Sequence, residues 1–566
     1  MTSPEPSPRR PTGRLGRWLL PLAALVTLLV LVLWMTQRRE SVPASAPQEQ
    51  ATPQGPREGG IYTEALIGRP GRFNPLFEEY NPSDRDLNRL VYCRLLTFNA
   101  QGIPQGDLAT SWGISADAKI YNFALRENAR WHDGEPVTAE DVAFTIERMR
   151  EEAIPVPETW KALWQQVEVV VLDPYTLQFR LPQPFAPFLD YLSFGILPKH
   201  VWQDISPEEM RDHPLNMEPV GCGPYRFDHL LLEEGNIQGV VLKAYEDYYQ
   251  GRPYIDEIVF RYYPTPQAAL TAYEEGEVLG LSEITLDILA EALRLPNLNF
   301  YTARRPRLTL IYLNLGEPTL SFFTEGEVRK ALLMALDRER LIQKHLQGQA
   351  IVAHSPIFPD SWAYYENIPK VPYDPQQADK LLREAGYIVA EDNIRAKEDT
   401  LLRFTLLYPD TERYHGMAQD IQKAWQQLGV QVTLKALPYE ELIQRLEARD
   451  YEAALVDLDF TRSPDPDPYP FWHESQAYEG QNYSVWKNRR ASLFLERARI
   501  TPDMGKRRTY YRNFQFIFAQ EWPALPLFYP VYTYGVDRQV RGIRLGPIYD
   551  ASDRFQNVLE WYMMGP

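Results

Sequence analysis

ENARWHDGEPVTAEDVAFTIERM, Glu127 to Met149, places His132, Asp133, Glu135, Glu140 and Asp141 within ten residues. So many ionisable groups read either as a metal or acid/base centre or as a turn followed by a helix. Local rules favour the second. Asp133-Gly134 is a turn signal. Thr138 stands where a helix N-cap belongs, and Asp141 follows three residues on, where the helix N-terminus favours a carboxylate. Val142, Ile146 and Met149 then recur at helical spacing as one apolar stripe. His132 and Glu135 flank the turn and lack the i, i+4 spacing of helical metal ligands. The stretch is scaffold on this reading.

Outward from it, short strand-like runs alternate with amphipathic helices, the pattern of an α/β architecture. Asp256–Pro264, Leu308–Leu315, Leu402–Pro409 and Val430–Leu437 read as strands. In YDPQQADKLLREAGY, Asp374 is placed as N-cap, Pro375 as the first helical residue and Gln377 as the reciprocal cap partner. Ala378, Leu381, Leu382 and Ala385 share one face, and Gly386 ends the helix. Between Val328 and Leu346 a second apolar stripe keeps helical spacing, with Gly348 as its stop.

At 566 residues the chain exceeds one hydrophobic core, so two or three domains are expected. The net charge of −17 argues against nucleic acid, which needs clustered Lys and Arg. The 48 prolines exceed the average of roughly 5% of residues and imply many ordered loops. Cys93 and Cys222 are the two cysteines, too few for a structural zinc site. They form one disulfide if the domain is exported, or stand as two buried thiols.

Trp18–Met35 is eighteen residues without a charge, long enough to span a membrane as a helix. Arg9, Arg10, Arg14 and Arg17 before it keep the N-terminus in the cytoplasm. No cysteine follows to carry a lipid. The nearest small-x-small site, Ala44-Ser45-Ala46, is distant and followed by Pro47, so an uncleaved anchor is expected. The expected order is a cytoplasmic piece 1–17, an anchor 18–36 and a Pro/Gln-rich tether 37–56. The remainder is an exported domain.

Enzyme motifs are missing. There is no G-x-x-x-x-G-K-[ST] and no G-x-S-x-G. GCGPYR, Gly221 to Arg226, has two glycines of a dinucleotide fingerprint but continues into Pro224-Tyr225 and cannot open a helix in the usual way. His473 lacks the second histidine of H-E-x-x-H. A carboxylate pair for glycoside hydrolysis stays open, because such pairs lie far apart in sequence.

Seven blocks in order carry a resemblance: LRENARWHDGEPVTAEDVAFTIERM, GCGPYRF, YYQGRPYIDEIVF, EVRKALLMALDRERLI, IPKVPYDPQQADKLLREAGY, IQKAWQQLGVQVTL and DPDPYPFWHESQAYEGQNYSVWKN. Together, over roughly 57–566, they resemble the family 5 extracellular solute-binding proteins, the dipeptide-, oligopeptide- and nickel-binding components of ABC importers. Cys222 replaces the threonine usual in the family's G-T-G-P-Y turn. The resemblance implies a bilobed type II periplasmic-binding-protein fold with an additional domain. Lobe I would be 57–100, 216–303 and 526–566, the additional domain 101–215, and lobe II 304–525. The Glu127–Met149 stretch would lie on the additional domain's surface, away from ligand.

The same resemblance implies a monomer that performs no chemistry, needs no cofactor, closes on ligand between its lobes and hands it to an ABC permease. The alternatives are a sensor on the same fold, or a binder of an oligosaccharide or other non-peptide solute. The candidate contact region is Tyr451–Trp486, with Asp457, Asp459, Asp465, Trp472 and Tyr483. Phe73, Asn74 and Trp362 are further candidates. Peptide binders of the family hold the ligand's α-ammonium with an Asp shortly after a Trp. Here Arg462 or Ser463 takes the Asp position. A cleft-facing Arg462 would repel an amine and suit an anionic or polyhydroxyl ligand, unless Asp457 or Asp459 restores amine binding.

Overall fold

The structure, a computed structural model, describes residues 55–390 and 393–564. The cytoplasmic piece, the anchor at 18–36 and nearly all of the 37–56 tether lie outside the described residues. Among the described residues no helix is long and apolar enough to cross a membrane.

Twelve strands of the described residues form one sheet. From one edge they run Gln431–Leu437, Arg403–Pro409, Ala453–Asp459, Arg307–Leu313, Ala524–Asp537, Gly280–Leu281, Ile61–Ile67, Glu257–Tyr263, Asn236–Ala244 and Tyr225–Glu233. Leu298–Arg304 and Ala350–Val352 also pair with Ala524–Asp537. The four strands read from the sequence all form, each within two residues of its expected ends. Arg307–Leu313 is buried on both faces, which is why it reads as an unbroken apolar run rather than an alternating one.

A second, antiparallel sheet orders Ala109–Ile114, Ile120–Leu125, Thr176–Arg180 and Glu168–Asp173. Its inward residues Tyr121, Phe123, Leu177 and Phe179 belong to the same buried cluster as Tyr62, Phe260 and Trp561. The 101–215 segment thus shares a core with the strands on either side of it in sequence. A separate cluster gathers Leu308 through Tyr529.

Capping chemistry sets the helices. Thr138 and Asp141 form a capping box at Ala139–Arg150: the Thr138 N–H donates to Asp141 Oδ2 at 2.8 Å. Asp374 caps Pro375–Glu384 by accepting the Gln377 N–H at 2.8 Å. The expected reciprocal bond from Gln377 is replaced, because the Asp374 N–H donates to the Met334 carbonyl at 2.9 Å. The single helix expected over 328–346 is two, Gly326–Met334 and Arg338–Leu346. Asp337 starts the second by capping Arg340 N–H at 2.9 Å, so the apolar stripe continues through a break that the periodicity conceals.

The Glu127–Met149 stretch exposes Asp133, Glu135 and Glu140 but buries its other side in the core. Trp131, Val137, Val142 and Ile146 are fully buried. The His132 ring lies against the GCGPYR turn, with Nε2 3.0 Å from the Gly223 carbonyl and Nδ1 accepting the Gly221 N–H at 3.3 Å. Burial lowers its pKa to about 4, so it stays neutral. Gly221 and Gly223 press on the carbonyls of Val91 and Leu90, where a Cβ has no room. Between them Cys222 is bonded to Cys93, with Cα atoms 5.2 Å apart.

A buried ion network ties distant segments together. Arg554 donates to Glu64 Oε1 at 2.6 and 2.9 Å and to Asp86 Oδ1 at 2.6 Å. Tyr62 and Tyr534 donate to Glu64 Oε2 at 2.6 and 2.7 Å. Burial opposes the Arg554 charge, but Asp86 and Glu64 outweigh it and hold its pKa above the ordinary range.

Arg554→Met leaves Glu64 and Asp86 buried without a cation. A loss of about 3–5 kcal/mol is expected, read as a lower urea midpoint by tryptophan fluorescence. Alkylation without reductant should add no mass to the unfolded chain, and after reduction it should label both cysteines.

Candidate functional site

A cavity of about 1010 Å³ opens between residues of 159–191 and residues of 439–499, joined by Tyr312. It stands at the top of the range of ~300–1,000 Å³ common for small-molecule sites. One wall comes from the helix Glu158–Gln166 and the short 3-10 helix Ala186–Leu192. It presents Trp160, Phe185 and Tyr191, with Tyr191 5.4 Å from Trp160 and 5.9 Å from Phe185 between ring centroids. The other wall presents Tyr439, Phe460, Phe471 and Tyr483.

The loop after strand Ala453–Asp459 is shaped by its own side chains. Asp459 Oδ1 accepts the Thr461 N–H at 2.8 Å, and Asp465 Oδ1 accepts the Asp467 N–H at 3.1 Å. Arg462 between them adopts the left-handed region, φ 63°, while its N–H donates to the Tyr549 carbonyl at 2.8 Å. Pro464, Pro466 and Pro468 restrict φ along the rest.

Most charges on the cavity wall have partners. Arg462 pairs with Glu78 at 3.2 Å and Glu79 at 3.0 Å, and its guanidinium lies 5.4 Å from the Trp160 ring centre. Burial works against its charge, but Glu78, Glu79 and Asp550 prevail and raise its pKa. Asp459 pairs with Arg307 at 2.6 Å. Burial pushes its pKa up, while the Thr461 hydroxyl and Arg307 bring it below the ordinary carboxylate value. Asp457 accepts the Thr309 hydroxyl at 2.5 Å, with Arg307 farther off at 3.8 Å. Asp465 binds Arg507 at 2.6 Å, and Asp467 binds Arg499 at 2.9 Å.

Asp457, Asp459, Arg462, Asp465 and Tyr483 border one cavity. Four other candidates are elsewhere. Phe73 and Asn74 are fully buried, and Asn74 is spent on Asn216 at 3.1 Å and the Leu76 N–H at 3.0 Å. Trp472 packs on Phe518 at 4.8 Å and Tyr312 at 5.8 Å. Trp362 is 6% exposed and packs on Tyr511 and Arg507. Aromatic packing consumes the two tryptophan rings. The sequence reading missed Trp160, Phe185, Asp190, Tyr191 and Tyr439. PETWKALWQQ looks like any amphipathic helix, and no local signal separates its core ring Trp164 from its cavity ring Trp160. Among the described residues no cluster of His, Cys, Asp and Glu is placed to hold a metal.

An α/β fold with one large sheet and an aromatic-lined cavity of this size suits the binding of a small solute. A sequence profile described as bacterial extracellular solute-binding proteins, family 5 Middle, matches residues 104–480, and the chain belongs to that extracytoplasmic family of binding proteins. The chain is 26% identical over 560 residues to the oligopeptide-binding protein AppA of Bacillus subtilis, covering 96% of this chain and 98% of that one. It is 27% identical over 519 residues to the dipeptide-binding protein of Escherichia coli, covering 87% and 93%. The structure of the same Bacillus protein in complex with a nonapeptide aligns with TM-score 0.64 at 25% identity, over 90% of this chain and all of that one. Campylobacter jejuni NikZ in complex with Ni(L-His) aligns with TM-score 0.65 at 25% identity, over 89% and 99%.

Arg462→Ala should strip Glu78, itself 4% exposed, of its cation. About 2 kcal/mol of destabilisation is expected, between the values for exposed and buried pairs. Thermal unfolding reads it, and adding Glu78→Gln should restore part of the loss.

Proposed function

We propose that this chain captures a short peptide in the cavity between Trp160 and Tyr483 and delivers it to an ABC permease. The single observation that carries the reading is the wall itself: aromatic rings on two sides, with the guanidinium of Arg462 already matched by Glu78 and Glu79. A neutralised Arg462 neither repels an amine nor recruits an anion, so the departure from the family pattern does not count against a peptide. The size suits a few residues with water, and the oligopeptide- and dipeptide-binding relatives support the same class.

On this reading the parts 57–100, 216–303 and 526–566 act as one lobe and 304–525 as the other, with 101–215 as the additional domain. The cavity wall draws on the last two, and Glu78 and Glu79 of the first lobe brace it through Arg462. The apolar run 18–36 anchors the chain, leaving the binding domain outside the cytoplasmic membrane. Opening of the contacts between 159–191 and 439–499 admits ligand, and closure presents the loaded form to the permease.

The full chain, purified in detergent and then denatured, should release short peptides identifiable by mass spectrometry. Trp160→Ala should lower their recovery at least several-fold while leaving the far-ultraviolet circular dichroism unchanged. Recovery of a sugar or an anion in place of peptide would overturn the reading.

A further inference from the structure

Three carboxylates, Asp190, Asp465 and Asp467, border the cavity with Arg499, and Arg507 is bonded to Asp465. Arg507 holds Asp465 through 2.6 and 2.8 Å contacts, and Arg499 holds Asp467 at 2.9 Å. Asp190, on the opposite wall, is 9% exposed. Its side chain accepts one hydrogen bond, from the Asp465 N–H at 2.7 Å, and among the described residues it has no ion-pair partner. Asp467 Oδ1 is buried without a hydrogen-bond partner. With Asp190 ionised, the group is one positive charge short.

A carboxylate taken out of water is either paired or protonated. Asp190 shows the strain of being unpaired. Burial, and next the neighbouring Asp465 charge, push its pKa well above the ordinary range, and Arg507 only partly offsets them. Other acids near the cavity differ. Glu447 is exposed and in water, and Asp457 and Asp459 have Thr309 and Arg307. Asp190 is the buried acid of the wall whose counter-charge the described chain does not supply, and it borders the space a ligand would fill. Tyr191 and Phe185 line the cavity beside it.

We propose that Asp190 is the anchor for a primary ammonium group of the ligand, placed on the 101–215 segment beside Asp465. The inference rests on the reading of this cavity as the ligand site. The ammonium comes from a peptide's N-terminus or from a lysine side chain. In both cases it completes the charge balance with Asp465, Asp467, Arg499 and Arg507, so binding gains a buried, charge-assisted hydrogen bond.

The test is isothermal titration calorimetry on the full chain in detergent, with three pools of tripeptides. The first is built from Ala, Ser and Phe with free N-termini, the second is the same pool N-acetylated, and the third is N-acetylated with a central Lys. Wild type should bind the first or the third at least tenfold tighter than the second. Tight binding of the first identifies the N-terminus as the source of the ammonium, and tight binding of the third identifies the side chain. Asp190→Asn, which keeps an oxygen for the Asp465 N–H, should erase that preference, and Asp190→Ser gives the same readout should Asn not fold. A preference that survives both variants, or one that Asp457→Asn abolishes instead, overturns the Asp190 assignment and leaves the peptide reading standing. Failure of wild type to bind any pool overturns the peptide reading and the assignment with it.

Discussion

Ala524–Asp537 is the strand on which both parts of the large sheet converge. Its first half pairs with Arg307–Leu313 and Ala350–Val352, and its second half with Leu298–Arg304 and Gly280–Leu281. All of its residues but Val531 are buried, so every backbone N–H and C=O along it needs a partner inside the protein. Meeting that demand forces segments from 280 to 352 to lie on either side of a strand near the C-terminus. The two large core clusters then form on its two ends, one ending at Tyr529 and the other resuming at Tyr532. The cavity exists because these clusters, with the 101–215 segment built on the second, leave a gap between 159–191 and 439–499.

Charge follows the same logic as the backbone. Arg554 meets Glu64 and Asp86 across more than 450 residues of sequence, and Arg462 meets Glu78 and Glu79 across almost 400. Each ion pair is tolerable at such burial because its geometry is fixed from both sides. The cost of burial also explains why one exception is informative. Asp190 sits where the fold offers a backbone N–H but no cation.

Much of the fold was legible before any coordinates. The turn at Asp133-Gly134, the Thr138–Asp141 capping box, the Asp374 cap and four central strands depend on residues within a few positions of one another. The misreadings share a cause. The stripe from Val328 to Leu346 continues across two helices because both bury the same side, so periodicity does not register the break at Asp337. Likewise Phe73, Trp362 and Trp472 have the composition of binding residues and the environment of core residues. An aromatic ring lowers its free energy equally well against protein or ligand, and sequence does not distinguish the two.

The sequence by itself determined the family, the alternation of strands and helices, and the loop between Asp459 and Pro468, because caps, prolines and short-range side-chain bonds act locally. Only the tertiary structure decided which charges are available. Arg462 reads as a free cation in the sequence, yet two glutamates almost 400 residues earlier consume it. Asp190 carries no motif that singles it out, yet it is buried beside Asp465. Electrostatic compensation is settled by contacts a few ångströms long between segments that the chain keeps far apart, and that distance is what a reading along the sequence does not span.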